Sequence, residues 1–225
     1  MPAVNDPQLS APATAQQHAV DALRRLMVSS TLRPGQRVNQ EDVASRTGLS
    51  VAPVREALRV LEQEGQVTYR PRRGYFVTEL QYGDLQEIYE LRQVLEERAV
   101  RFALPRLDDA ALRRIDADAA ACARAAEAGD VATELAANRR FHFHLMEAPG
   151  QRHVLRLIRL LWDATEVYRA MYYNLPEERA ESVHAHERIV QAVRSDDADR
   201  LVAELDAHRE RALEVLHGVL EEPGG

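Results

Sequence analysis

Between residues 14 and 30 the apolar positions Ala19, Val20, Leu23, Leu26 and Met27 recur at spacings of three and four, the pattern of an amphipathic helix. "TLRPGQRV" then breaks the period. A short helix is predicted over 40–47, capped by Asn39, with Asp42 at its third position, Val43 and Ala44 facing inward, and Gly48 ending it. Ser50 caps the next helix, whose inner stripe is Val54, Ala57, Leu58 and Leu61 and whose left-handed stop is Gly65. Pro53 falls in the first turn, where its missing N–H had no intrahelical partner to lose, so it starts this helix instead of breaking it. After Gly65 the period drops to two. "QVTYR" and "GYFVTEL" read as strands joined by the turn "PRRG".

From Asp84 to about Leu220 the strand signal disappears. Helices are predicted over approximately 84–104, 108–128, 131–147, 151–174, 177–195 and 197–218, punctuated by Pro105, Pro149, Gly150 and Pro176. The expected fold is mainly α: an N-terminal winged helix-turn-helix followed by an all-helical antiparallel bundle. The domain plan is a disordered lead over 1–13, a reader over 14–79, a linker over 80–83 and a helical body over 84–220.

Composition sharpens this plan at three points. No apolar run approaches the ~18–20 residues of a membrane span, and the N-terminus lacks the basic-then-apolar pattern of a secretory signal. Cys122 is the only cysteine, so no disulfide framework exists and a reducing cytoplasm is the expected compartment. The net charge of −7 argues against nucleic acid, but the charge is uneven. Residues 1–80 carry ten Arg against eight acids, and the remainder nineteen against twenty-eight. A basic reader joined to an acidic body can bind DNA despite an acidic whole.

The chemistry of the reader lies in its arginines. Arg55 and Arg59 stand four apart on one face of the second helix, which is narrow enough to enter a major groove. Arg72 and Arg73 at the hairpin tip can reach backbone or minor groove, with Gly74 allowing close approach. The segment "VNQEDVASRTGLSVAPVREALRVLEQEGQVTYRPRRGYFV" resembles the winged-helix reader of the GntR family of bacterial transcription regulators, over about 14–79. The resemblance implies double-stranded DNA as the partner, with Ser50, Arg55, Arg59, Arg72, Arg73 and Gly74 in contact. Val51 and Ala52 stand where the family usually has Arg followed by Thr or Ser, so the family's usual base preference does not carry over.

In the body, polar residues fall on apolar stripes. The inward sets are Leu135, Asn138, His142 and Leu145; Val183, His186, Val190 and Val193; and Leu201, Leu205, His208, Ala212 and Val215. A single inward His is ordinarily a satisfied core residue. Three of them with an amide oxygen form the donor set of a zinc, nickel or manganese ion. Arg92 lies on the stripe Leu85, Ile88, Arg92, Leu95, Ala99, where it either pairs with an acid such as Glu96 or clamps a ligand's carboxylate. Val154, Ile158, Leu161, Thr165, Tyr168 and Tyr172 share another face, with hydroxyls that can line a pocket.

The body resembles the FCD (FadR C-terminal) effector domain over most of 84–220, through "NRRFHFHL", "AHERIVQAV" and "DAHRERA". The resemblance implies a divalent metal, zinc first with nickel or manganese as alternatives, held by Asn138, His142, His186 and His208. It also implies a small carboxylate effector on Arg92; Thr165 and Tyr168, from their stripe, are the hydroxyl residues expected to line the same pocket. Asn138 stands where the motif more often has Asp, and a neutral amide oxygen holds a cation less strongly. His144 and His184 are expected to point elsewhere. The whole is read as a cytoplasmic homodimeric regulator, a repressor, on a palindromic operator and not an enzyme. The alternatives are a metal-dependent enzyme or a metal sensor built on the helical body.

Overall fold

The computed structural model describes residues 14–148 and 150–221. The lead predicted over 1–13 and the break at Pro149 lie outside the described residues. Three helices open the chain: α1 (Ala15–Val28), α2 (Gln40–Thr47) and α3 (Val51–Gln63). Thr14 caps α1, and the Asn39 side chain accepts from the amides of Glu41 and Asp42 to start α2. Strands β1 (Val67–Arg70) and β2 (Gly74–Val77) pair antiparallel, Val67 opposite Val77 and Arg70 opposite Gly74. Arg37 adds an isolated bridge to Phe76, so the loop after α1 lies along the hairpin.

Helix α4 (Tyr82–Ala103) starts two residues before the expected boundary, because Gln81 and Asp84 cap it reciprocally. A 3-10 turn over Leu104–Arg106 follows. The rest is helical: α5 (Asp109–Ala128), α6 (Val131–Met146), α7 (Arg152–Ala164), α8 (Glu166–Tyr173), α9 (Pro176–Arg194) and α10 (Ala198–Glu221). The single helix expected over 151–174 is broken at Thr165, whose hydroxyl bonds back to the carbonyl of Leu161 and competes with the helical ladder. No described helix is long and apolar enough to cross a membrane.

Two cores result. One lies wholly in the body, among Ala99, Ile115, Phe141, Leu145, Ile158, Trp162, Ile189 and Leu205. The other runs from the reader into the body. Leu23, Met27, Leu58 and Leu61 of the reader share it with Leu85, Leu135, Val167, Tyr168, Tyr172 and Leu216 of the body. Burying such side chains contributes about 1.5–3 kcal/mol each, so the seam between the two units is hydrophobic core rather than a loose hinge.

Candidate functional site

The reader presents its arginines as a surface. Gly48 turns the chain at φ 70°, and Ser50 occupies the N-cap of α3. The hydroxyl of Ser50 makes no capping bond, contrary to its expected role, and the residue is exposed. Arg55 and Arg59 are exposed one turn apart on α3, and Arg59 also reaches Glu56 at 3.0 Å. At the wing tip Arg72 adopts φ 62° and Gly74 φ 90°; the left-handed pair turns the exposed Arg72 and Arg73 outward. A side chain at position 74 would meet the guanidinium of Arg37 at 3.8 Å as well as strain the backbone. The guanidinium carbons of Arg70 and Arg73 sit 4.5 and 5.7 Å from the centre of the Phe76 ring. Arg37 and Arg70 thus join this basic cluster, although the sequence pattern did not single them out. Arg37 reaches the wing only through its long-range bridge to Phe76.

Replacing Arg72 and Arg73 together by Ala should weaken binding to all DNA sequences alike. If each contacts one phosphate per subunit of a dimer, the slope of log K against log salt falls by about 3–4. Arg55→Ala should instead relax sequence preference, costing about 1–3 kcal/mol on the preferred site only. A salt series on specific and unrelated DNA checks both.

Three helices of the body converge on the second site. His142 of α6, His186 of α9 and His208 of α10 bring ring nitrogens within 4.8 Å of one another. The rings of His142 and His208 stack at 5.4 Å, and His186 lies edge-on to both. Asn138, one turn before His142, aims a buried Oδ1 that has no hydrogen-bond partner among the described residues, and neither ring nitrogen of His186 has one. Burial drives His142 and His186 far below the usual imidazole range, helped by the neighbouring rings, and brings His208 down to about 4. All three are neutral near pH 7, with lone pairs available to a cation. His144 instead bonds Asp118 at 2.7 Å, and His184 is exposed beside Glu187.

The stripes on α9 and α10 are turned slightly from the expected ones. On α9 the buried positions are Glu178, Ser182, Ala185, His186, Ile189, Ala192 and Val193, while Val183 and Val190 are half-buried. On α10 Arg209 is buried, and Ala212 and Val215 are half-buried. On α4 the buried set is Leu85, Tyr89, Arg92, Glu96, Ala99, Val100 and Ala103, so Ile88 and Leu95 yield to Tyr89 and Glu96. A count of apolar residues misses these positions because their charges satisfy one another. Glu96 accepts from Arg92 at 2.9 Å, from Arg209 at 2.6 Å and from the indole of Trp162 at 2.7 Å. Burial alone would raise the Glu96 carboxyl, but the two guanidiniums hold it below its ordinary value.

Arg92 is therefore ion-paired, and it also lines a small cavity of about 30 Å³ beside the histidines. Asn138, His142, His208, Trp162, Arg169 and Arg209 line it too. Thr165 and Tyr168 do not. The break at Thr165 resets the helical phase, so Arg169 takes the inward position. Thr165 reaches the cavity only indirectly, by accepting from Arg169 at 2.8 Å. Tyr168 faces the reader, and its phenol oxygen accepts from the amide of Leu80 at 2.6 Å, just before α4. Glu166 on the same helix lies 3.8 Å from Arg24 of α1. Glu134, one turn before Asn138, also escaped the sequence reading. Burial raises its carboxyl to about 7 against the pull of Arg179, and its Oε2 has no partner among the described residues.

The sequence matches two protein families: "Bacterial regulatory proteins, gntR family" over residues 15–77 and "FCD domain" over 87–211. It is 29% identical over 221 residues to the uncharacterized HTH-type transcriptional regulator YdhC of Bacillus subtilis, covering 97% of this chain and 98% of that protein. It is 29% identical over 206 residues to the Nta operon transcriptional regulator of Aminobacter aminovorans, covering 88% and 94%. Among solved structures, E. coli McbR/YncC superposes with a TM-score of 0.80 at 22% identity, covering 92% of this chain and 99% of that one. A reader with exposed helix and wing arginines, carried on a helical body matched over its own length, identifies the chain as a member of the GntR family of bacterial transcription regulators, in its FCD-bearing, FadR-type branch.

Proposed function

We propose that this DNA-binding regulator responds to a small organic acid, bound beside a divalent metal ion in the helical body, and acts as a homodimer on a palindromic operator. One observation carries the reading. The orphaned oxygen of Asn138, the imidazoles of His142 and His208 and three buried guanidiniums line one cavity, and His186, with both ring nitrogens orphaned, stands within 4.8 Å of those imidazoles. Buried polar atoms without partners are costly, and a cation relieves that cost at Asn138 and His186. Three neutral imidazoles and one amide oxygen suit zinc first, with nickel or manganese as alternatives. His142, His186, His208 and Asn138 would hold the ion, which supplies a Lewis-acidic position for a carboxylate. Arg92 stands beside it, already oriented by Glu96.

Helix α8 gives the ligand a route to the reader. Arg169 faces the cavity, Tyr168 holds the segment before α4, and Glu166 faces Arg24 of α1. A ligand that pulls on Arg169 shifts all three contacts, and differential affinity for two such arrangements sets the response.

A homodimer is supported by an apolar face on two packed helices. Leu91, Val94 and Phe102 of α4 and Leu157 and Leu160 of α7 are all exposed. Exposed acids Glu87 and Glu90 lie along α4, and exposed Arg152 and Arg156 along α7. A two-fold arrangement sets one helix's acids against the other's arginines, so a second copy is the matching partner.

Metal analysis of the purified protein, followed by operator binding with and without chelator and candidate acids, tests the reading. With free zinc at about a hundred times its dissociation constant, stability should rise by about 2.7 kcal/mol, which for this size is a Tm gain of about 5–10 °C. His186→Ala should lose both the metal and the gain. A response to zinc alone, indifferent to every acid, would replace the proposal with a metal sensor, and turnover of an acid would replace it with an enzyme.

A further inference from the structure

Three guanidiniums border the cavity, and only two have acid partners. Arg92 pairs with Glu96, and Arg209 pairs with Glu96 and Asp206. Arg169 is 7% exposed, and no carboxylate lies within ion-pair distance of it among the described residues. Its polar contact is the neutral hydroxyl of Thr165, and its guanidinium carbon lies 4.4 Å from the centre of the Trp162 ring. Burial and the repulsion of Arg92 bring it down to about 10, so it still carries its charge near pH 7 at a cost that a bound anion would remove.

The metal side adds to the imbalance. Asn138 contributes no charge, and imidazole binds a metal as a neutral ligand, so a divalent ion there would keep its full double charge. Glu96 is already shared between two arginines. A monocarboxylate on the metal would leave Arg169 with no carboxylate at ion-pair distance and with the repulsion of Arg92 unrelieved. Both ends of the cavity lie close to one indole. Its centre is 5.1 Å from that of His142 and 4.4 Å from the Arg169 guanidinium carbon. A short ligand can therefore span from the histidine cluster to Arg169.

We infer that the effector is a short dianionic acid, with one carboxylate at the histidine cluster and a second anionic group on the fork of Arg169, which sets the specificity for two charges. This rests on the proposed control by an organic acid and names that acid's class. Thr165 acts as a positioning residue, since its hydroxyl fixes the direction of the fork. At about 30 Å³ the cavity has room for about one water molecule, so a ligand must open it, and a dicarboxylate of few carbons needs the smallest opening.

Trp162 is the only tryptophan in the chain, so its fluorescence reports this cavity directly. The full-length, zinc-loaded protein is titrated with malonate, succinate and glutarate, and with acetate, propionate and butyrate. A phosphonate analogue of succinate tells whether the second group must be a carboxylate. The expected result is at least tenfold tighter binding of one dicarboxylate than of its monoanionic counterpart. Arg169→Gln should erase that preference by weakening dicarboxylate binding at least tenfold, while zinc content stays unchanged. Thr165→Val keeps the size of the side chain, removes the acceptor, and should reduce the preference partially. It decides the matter if Arg169→Gln does not fold. Equal affinity for mono- and dicarboxylates, or equal weakening of both in the variants, overturns the inference and leaves control by an organic acid standing. Binding of no acid by the zinc-loaded wild type overturns both.

Discussion

Replacing Val94 and Leu160 together by Asp should convert the proposed homodimer to a monomer and remove its tight operator binding, while each reader still folds. Val94 is 68% exposed and Leu160 46%, so neither substitution buries a charge within the subunit. In a two-fold dimer both fall in the apolar centre, where an unpaired carboxylate is strongly unfavourable. A monomer reads one half-site. The second half-site contact is then no longer intramolecular, and the loss of effective concentration is worth about 10²–10⁴ in affinity. Sedimentation gives the assembly state, and titration against whole and half operators gives the binding. A double variant that stays dimeric would place the interface elsewhere.

Glu96→Leu is expected to be the most destabilising single change in the body. It removes the acceptor shared by Arg92, Arg209 and Trp162. Arg92 then loses its counter-charge and Arg209 keeps only Asp206, and breaking such a buried pair costs about 3–5 kcal/mol. For a chain of this size that is a fall in Tm of about 6–20 °C. Replacing Arg92, Glu96 and Arg209 together by apolar residues of similar size should recover much of the loss, because the cost lies in the orphaned charges. The same network sets an acid limit. The folded-state value of Glu96 lies below the ordinary 4.5, so its contribution is present above that value and fades as pH falls through the lower one. Thermal melts from pH 7 down to pH 3 should show the wild type losing stability faster than the triple apolar variant.

The reader was legible in the sequence because each of its signals is local. Asn39 caps, Gly48 and Gly65 stop, and Pro53 marks a first turn, all within a few residues of what they control. The histidine cluster was legible for a related reason: a four-residue spacing places Asn138 and His142 on one face of α6, and each imidazole stands on a recognisable stripe. The arginine side of the cavity was not. Tyr168 looked like a pocket residue only while α7 and α8 were one helix, and the break at Thr165 hands that position to Arg169. Glu96 was legible only as a candidate partner of Arg92 four residues away, and Arg209 was not singled out, because each is a poor core residue alone. They are inside because they meet, and they stand 113 residues apart in the chain. Pairing at that range leaves no local trace.

The core that runs from Leu23 and Leu58 into Val167 and Leu216 bears on how such proteins can be recombined. A winged reader followed by an effector body invites exchange of parts, with a new sensor grafted behind an old operator specificity. Here a graft at the segment before α4 would cut through packed side chains and would also part Arg24 from Glu166 and Leu80 from Tyr168. A working chimera must carry the seam across with the reader, as a matched set of positions on α1, α6, α8 and α10. Inheritance of these two halves is thus tied to their shared surface, and the unit that can be transplanted is larger than the one that touches DNA.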